Sequence, residues 1–197
     1  DRTLRHWYAA QGPARTKFTG HTGPVYASAF SPDEKLLATA GGDWTVRMWS
    51  VQTGEAASVM KGHTHQVTGV AFNPKVKQMV SISLDGTMWV WPLEGDFNPR
   101  RFSEGIEGGL LDVAITPNGN GISVVGRDRR FRLLNRTTLK PVRDMPGHAS
   151  PVYAVKFNGT GSRAVTLDRS GKLFLWDTSN GNIRFHQQLP LKRATSM

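Results

Sequence analysis

Residues 20–61 read GHTGPVYASAFSPDEKLLATAGGDWTVRMWSVQTGEAASVMK. Val25 to Phe30 is apolar and rich in strand formers. Ser31-Pro32-Asp33-Glu34 is a turn, because Pro presets φ and Asp bonds its own backbone locally. Leu36 to Ala40 is a second apolar run, closed by the tight turn Gly41-Gly42-Asp43. Thr45 to Trp49 is a third run, Gln52-Thr53-Gly54 turns again, and Glu55 to Met60 is a fourth. Four short strands with short loops predict an antiparallel meander. Most of the runs lack a clean polar face, so the sheet is expected to pack against neighbours on both sides.

The same punctuation recurs along the chain. Gly20-His21 and Gly62-His63 lie 42 residues apart, and Gly147-His148 falls two periods plus one residue later. Gly105-Ile106 opens the copy between them, with the His lost. The copies close on Trp7, Trp49, Trp91 and Trp176, with Leu134 where another Trp is due. A unit of this size cannot bury both faces alone and must stack on its neighbours. The expected divisions are therefore blades at 20–61, 62–104, 105–146 (degenerate) and 147–189. Residues 1–19 read as the last two strands of a partial blade, and 190–197 as the start of a further one. An all-β propeller of four-stranded antiparallel blades follows, with four full blades and partial blades at both ends. A longer propeller is expected, with its remaining blades outside this segment. The alternative is a fifth, incomplete blade made by the two ends together.

Composition narrows the function classes. No run of 18 apolar residues exists, so no helical membrane span is expected. The absence of cysteine excludes disulfides, thiolate zinc sites and cysteine nucleophiles, and leaves the compartment open. A formal net charge of +10 favours acidic partners: nucleic acid, anionic lipid or an acidic protein. His63 and His65 have no carboxylate cluster nearby in sequence, so no metal site is expected. The Ser and His residues are accounted for by the repeat rather than by a nucleophile with its base. The expectation is a protein without catalytic residues or cofactors.

With Gly-His, the closing Trp and the Trp176-Asp177 dipeptide in view, the chain resembles the WD40-repeat family over essentially its whole length. That resemblance implies a buried hydrogen-bonded tetrad in each blade. The chemistry is reasonable: a buried Asp and a buried indole N–H both need partners, and Ser/Thr and His bridge them. The matching residues are His21, Thr39, Asp43 and Trp49, then His63, Ser81, Asp85 and Trp91. Asp1 and Trp7 keep the same separation. The fourth blade offers His148, Thr166, Ser170 and Trp176, with Ser in place of Asp. The third offers Ile106, Val124, Asp128 and Leu134, and Asp128, stripped of partners, is expected to turn toward solvent.

The resemblance also implies an interaction scaffold that docks proteins or peptides at the narrow end of the propeller. Three positions per blade commonly carry contacts: five and seven residues after the His position, and the residue before the tetrad Asp. They map to Tyr26, Ser28 and Gly42; Thr68, Val70 and Leu84; Leu111, Val113 and Arg127; and Tyr153, Val155 and Arg169. A second candidate surface is basic: Arg127, Arg129, Arg130, Arg132, Arg136, Lys140 and Arg143, with Asp128 the one acid among them. On a strand Arg130 and Arg132 would share a face. The rival functions are a regulatory propeller attached to a catalytic domain outside this chain, and binding of nucleic acid or an acidic partner through Arg127–Arg143.

Overall fold

The computed structural model describes residues 2–6, 16–95 and 97–190. Among them there is no helix, and hence none long and apolar enough to cross a membrane. The first sheet is a strand pair, β1 (Leu4–His6) with β2 (Thr16–Phe18). Four four-stranded antiparallel sheets follow, each with its strands in chain order. They are β3 (Val25–Phe30), β4 (Leu36–Gly41), β5 (Val46–Ser50) and β6 (Ala56–Met60); then β7 (Val67–Phe72), β8 (Gln78–Ser83), β9 (Met88–Pro92) and β10 (Arg100–Phe102). The third is β11 (Leu110–Ile115), β12 (Gly121–Gly126), β13 (Phe131–Asn135) and β14 (Pro141–Met145). The fourth is β15 (Val152–Phe157), β16 (Arg163–Asp168), β17 (Lys172–Asp177) and β18 (Ile183–Gln188). Asp1, Trp7 and the strand start expected over 190–197 lie, but for Pro190, outside the described residues.

The first strands gather on one line. β3 packs on β7, β7 on β11 and β11 on β15. Second strands are sandwiched, which is why β4, β8 and β12 are buried over five successive residues without alternation. Three apolar clusters fill the spaces between successive sheets. Ala38, Ala40 and Val46 meet Val67, Val70 and Met79. Ile82, Met88 and Val90 meet Leu110, Val113 and Val124. Val125, Phe131 and Met145 meet Val152, Val155 and Phe174. Phe18 of β2 lies against Trp49 and Leu37, so the strand pair covers the outer face of the first full blade. Fourth strands lie outermost, and β18 is exposed along its whole length.

Candidate functional site

A proton-ordered chain runs through the first blade. The Trp49 indole N–H donates to Thr39 Oγ1 at 2.8 Å, and that hydroxyl donates to His21 Nε2 at 2.7 Å. His21 Nδ1–H then donates to Asp43 at 2.9 Å. This order uses a neutral imidazole, which burial favours: desolvation lowers the His21 pKa, against the pull of Asp43. Burial also works against the Asp43 carboxylate. Hydrogen bonds from Thr45, the Thr22 N–H and His21 more than offset it and hold the group below the ordinary carboxylate range. The second blade repeats the arrangement. Trp91 Nε1 donates to Ser81 Oγ at 2.9 Å, His63 Nε2 lies 2.8 Å from that hydroxyl, and His63 Nδ1 lies 3.2 Å from Asp85. His63 is thus used within the blade, and His65 Nδ1 accepts the Gln66 N–H.

The fourth blade corrects the expectation for Ser170. His148 Nδ1 bonds Asp168 at 2.9 Å, and Ser170 donates its own N–H and hydroxyl to the other Asp168 oxygen. Asp168 stands two residues earlier in the turn, where the first blade has Gly41. There a Cβ would fall 2.3 Å from His21 Nδ1 and 2.4 Å from Asp43 Oδ1. The space that Gly41 leaves open for Asp43 is entered directly by the Asp168 side chain. A hydroxyl on Ser170 could not replace the carboxylate, which must accept from an imidazole and from turn amides together.

The third blade corrects the expectation for Asp128. Its side chain is 5% exposed and pairs with Arg132, itself 5% exposed, which also donates to the Gly105 carbonyl. With Ile106 in place of His, a guanidinium reaches the acid from β13 instead. Val124 and Leu134 are fully buried, so packing replaces the indole end of the network.

At the end where the opening loops gather, the four blades share two devices. The pairing of each first strand with its neighbour skips one residue, and that residue is Tyr26, Thr68, Leu111 or Tyr153. A bulge re-aims the side chain it carries. Each turn between second and third strands is also tied to the opening loop by one backbone bond. Gly42 N–H donates to Pro24 O at 2.7 Å, Leu84 to Gln66 at 3.0 Å, Arg127 to Gly109 at 2.9 Å and Arg169 to Pro151 at 2.8 Å. The residue before the tetrad Asp position is therefore held beside the bulge. At Gly42 a Cβ would stand 2.9 Å from Pro24 Cδ and 3.2 Å from the Tyr26 ring, so the glycine leaves room for both.

The expected contact residues do not all reach this surface. Tyr26 and Tyr153 are each 48% exposed, and Ser28, Arg127 and Arg169 are exposed as well. Leu84 and Leu111 are half-buried. Val70, Val113 and Val155 are buried against the preceding sheet and present no surface, whereas Ser28, at the same position, is exposed because among the described residues no first strand packs on β3 from that side. The Thr68 hydroxyl is spent on the Leu110 carbonyl of the next blade at 2.8 Å.

The basic cluster, contiguous in sequence, is dispersed in space. Arg127 and Arg129 stand on the turn at the opening-loop end, before β13. Arg130 pairs with Asp144 at 2.7 Å and precedes the strand, while Arg132 is buried within it, so the two do not form one exposed pair. Arg136 and Lys140 belong to the turn at the opposite end, and Arg143 on β14 donates to the Ser179 carbonyl at 2.6 Å. The sequence does not single out Asp168 or Trp44. The signal for Asp168 is an acid two residues ahead of the expected position. The signal for Trp44 is a bulky residue at a turn position that holds glycine in two other blades.

Comparison with known proteins agrees with this architecture. The WD domain, G-beta repeat family model matches residues 12–50, 54–92 and 139–177. Transcription initiation factor TFIID subunit 5 of Caenorhabditis elegans is 34% identical over 166 residues, which cover 82% of this chain and 24% of the relative. The chain thus spans about a quarter of that relative's length. Matched repeats over more than half of the sequence, on a sheet architecture of stacked four-stranded meanders, place the chain in the WD40-repeat family of β-propeller proteins.

Proposed function

We propose that the chain is an interaction scaffold that docks a protein or peptide on the end where its opening loops gather, as part of a larger assembly. The observation that carries this reading is the shared bulge. A defect in strand pairing recurs at one position in all four blades and leaves an exposed tyrosine on two of them. Bulges are retained features that direct side chains, and tyrosine contributes strongly when it is desolvated at an interface. Rigid blades hold these side chains at fixed spacing, and no bond need be made or broken. The likeness to a subunit of TFIID makes a multisubunit complex a fitting context. The test is affinity capture with the full-length protein, comparing the native sequence with Tyr26→Ala/Tyr153→Ala. Loss of the native partner set at unchanged thermal stability supports the reading, and an undiminished set overturns it.

A further inference from the structure

The turn between second and third strands is built alike in each blade. The fourth residue of the turn returns its N–H to the first: Trp44 to Gly41 O, Gly86 to Ser83 O, Arg129 to Gly126 O and Gly171 to Asp168 O. All four of these residues adopt the left-handed conformation, with φ of 68° at Trp44, 77° at Gly86, 66° at Arg129 and 81° at Gly171. Glycine occupies this conformation without steric penalty, whereas a side chain crowds the following carbonyl. Two blades follow that preference. The other two place a Trp and an Arg there, and both side chains are exposed. Trp44 is 51% exposed, and Arg129 is exposed and in no ion pair among the described residues. Leu139 also takes a positive φ, but it is buried in the core, so its packing offsets the strain. Glu34 does so at the opposite end of the molecule.

The opening-loop end therefore carries exposed rings and exposed cations together. The first blade contributes two aromatic rings, Tyr26 and Trp44, and the fourth contributes Tyr153. The third and fourth contribute Arg127, Arg129 and Arg169, all exposed and none in an ion pair among the described residues. Asp43, Asp85, Asp128 and Asp168, the acids of the same turns, are turned inward onto His or Arg and do not neutralise these cations.

We propose that this end takes an acidic polypeptide segment that also carries large apolar side chains, with Trp44 and Arg129 as its contact residues. This rests on the docking reading above and assigns the chemistry of the partner. Exposed rings favour apolar side chains, and three unpaired guanidiniums match a few carboxylates by bidentate hydrogen bonds. A polypeptide fits better than a nucleic acid strand. Three cations, on two adjacent blades, do not make the continuous track that a phosphate backbone follows.

The experiment uses full-length protein and fluorescent dodecapeptides of alternating Glu and Phe, alternating Glu and Ser, and alternating Lys and Phe, with a single-stranded oligodeoxythymidine as a fourth probe. The Glu-Phe peptide should bind tightest. Trp44→Gly and Arg129→Gly should each weaken it by about tenfold or more. Both changes relieve backbone strain, so the melting temperature should hold or rise and loss of binding cannot be laid to unfolding. Equal binding of the Lys-Phe peptide, preference for the oligonucleotide, or no binding of the Glu-Phe peptide overturns the inference. Unchanged binding in both glycine variants also overturns it. In that case loss of binding in Tyr26→Ala/Tyr153→Ala leaves the docking reading standing, and its retention removes both.

Discussion

Arg132 and Asp128 form a buried ion pair in the blade that has lost its histidine. The pair does what imidazole and carboxylate do elsewhere in the array, placing a donor against an acid drawn in from the turn. Removing one partner would leave the other charged and dry. Arg132→Ala should destabilise the protein by about 3 kcal/mol or more. The double variant Arg132→Met/Asp128→Ala, which removes both charges, should lose less than Arg132→Ala alone. Denaturant melts of the two variants check this, and a single variant no worse than the double would contradict it.

In the fourth blade the carboxylate that matters is Asp168. Asp168→Ala should cost about 1.5–3 kcal/mol, because it strands the His148 donor and the amides of Ser170 and Lys172. Ser170→Ala removes only a supporting hydroxyl and should cost about 1 kcal/mol or less. Thermal denaturation separates them, and equal losses would show that Asp168 is not the acid of this network.

Stability should fall on acidification in two stages. His21, His63 and His148 are held below their ordinary 6.5, chiefly by burial, against the pull of their Asp partners. As pH falls through 6.5 the unfolded chain takes up protons at these sites before the folded one does, so stability is full above that pH and shrinks below it. Asp43, Asp85 and Asp168 are held below 3.8 in the folded state. Their contribution is present above 3.8 and is lost as pH falls on through their folded values. Melting temperatures measured from about pH 8 to about pH 3 should show a plateau, a decline and then a steeper decline. A rise on acidification from neutrality would contradict the neutral, buried histidines.

The outer face of the fourth blade is less covered than its counterparts. Leu173 and Leu175 are half-buried and Phe185 is exposed, whereas Val46, Met88 and Phe131, which take the Leu173 position in the other blades, are buried. Residues 1–197 made alone should therefore self-associate, and Leu173→Lys/Phe185→Lys should reduce this. Light scattering after gel filtration reads both outcomes, and a monodisperse monomer of the unchanged chain would contradict the expectation.

The fold was legible because its signals are local and repeated. Gly-His, the turn residues and the closing Trp each answer a backbone or burial requirement at a fixed distance. What was hidden depended on reach across the sheet. Asp168 and Asp43 arrive at the same point in space from turn positions two apart, so alignment by position pointed to Ser170. Arg132 reads as a surface charge because strand alternation does not show that its guanidinium takes the place of the histidine its own blade has lost. The seven cations from Arg127 to Arg143 are close in sequence, but a hairpin carries its two ends to opposite edges of the blade. Val70, Val113 and Val155 match contact positions by spacing, yet each is covered by the preceding sheet, which spacing within one repeat does not show.

Tyr26 and Tyr153 are the central docking residues of the proposed interface. Hydroxyl-radical footprinting of the full-length protein, free and in its native assembly, tests this directly. Tyr26, Trp44 and Tyr153 should be protected in the assembly, while Phe97, Val142 and Phe185, which are exposed on other faces, should react as they do in the free protein. Protection of Phe97, Val142 or Phe185, with Tyr26 and Tyr153 as reactive as before, would place the interface elsewhere and contradict the account.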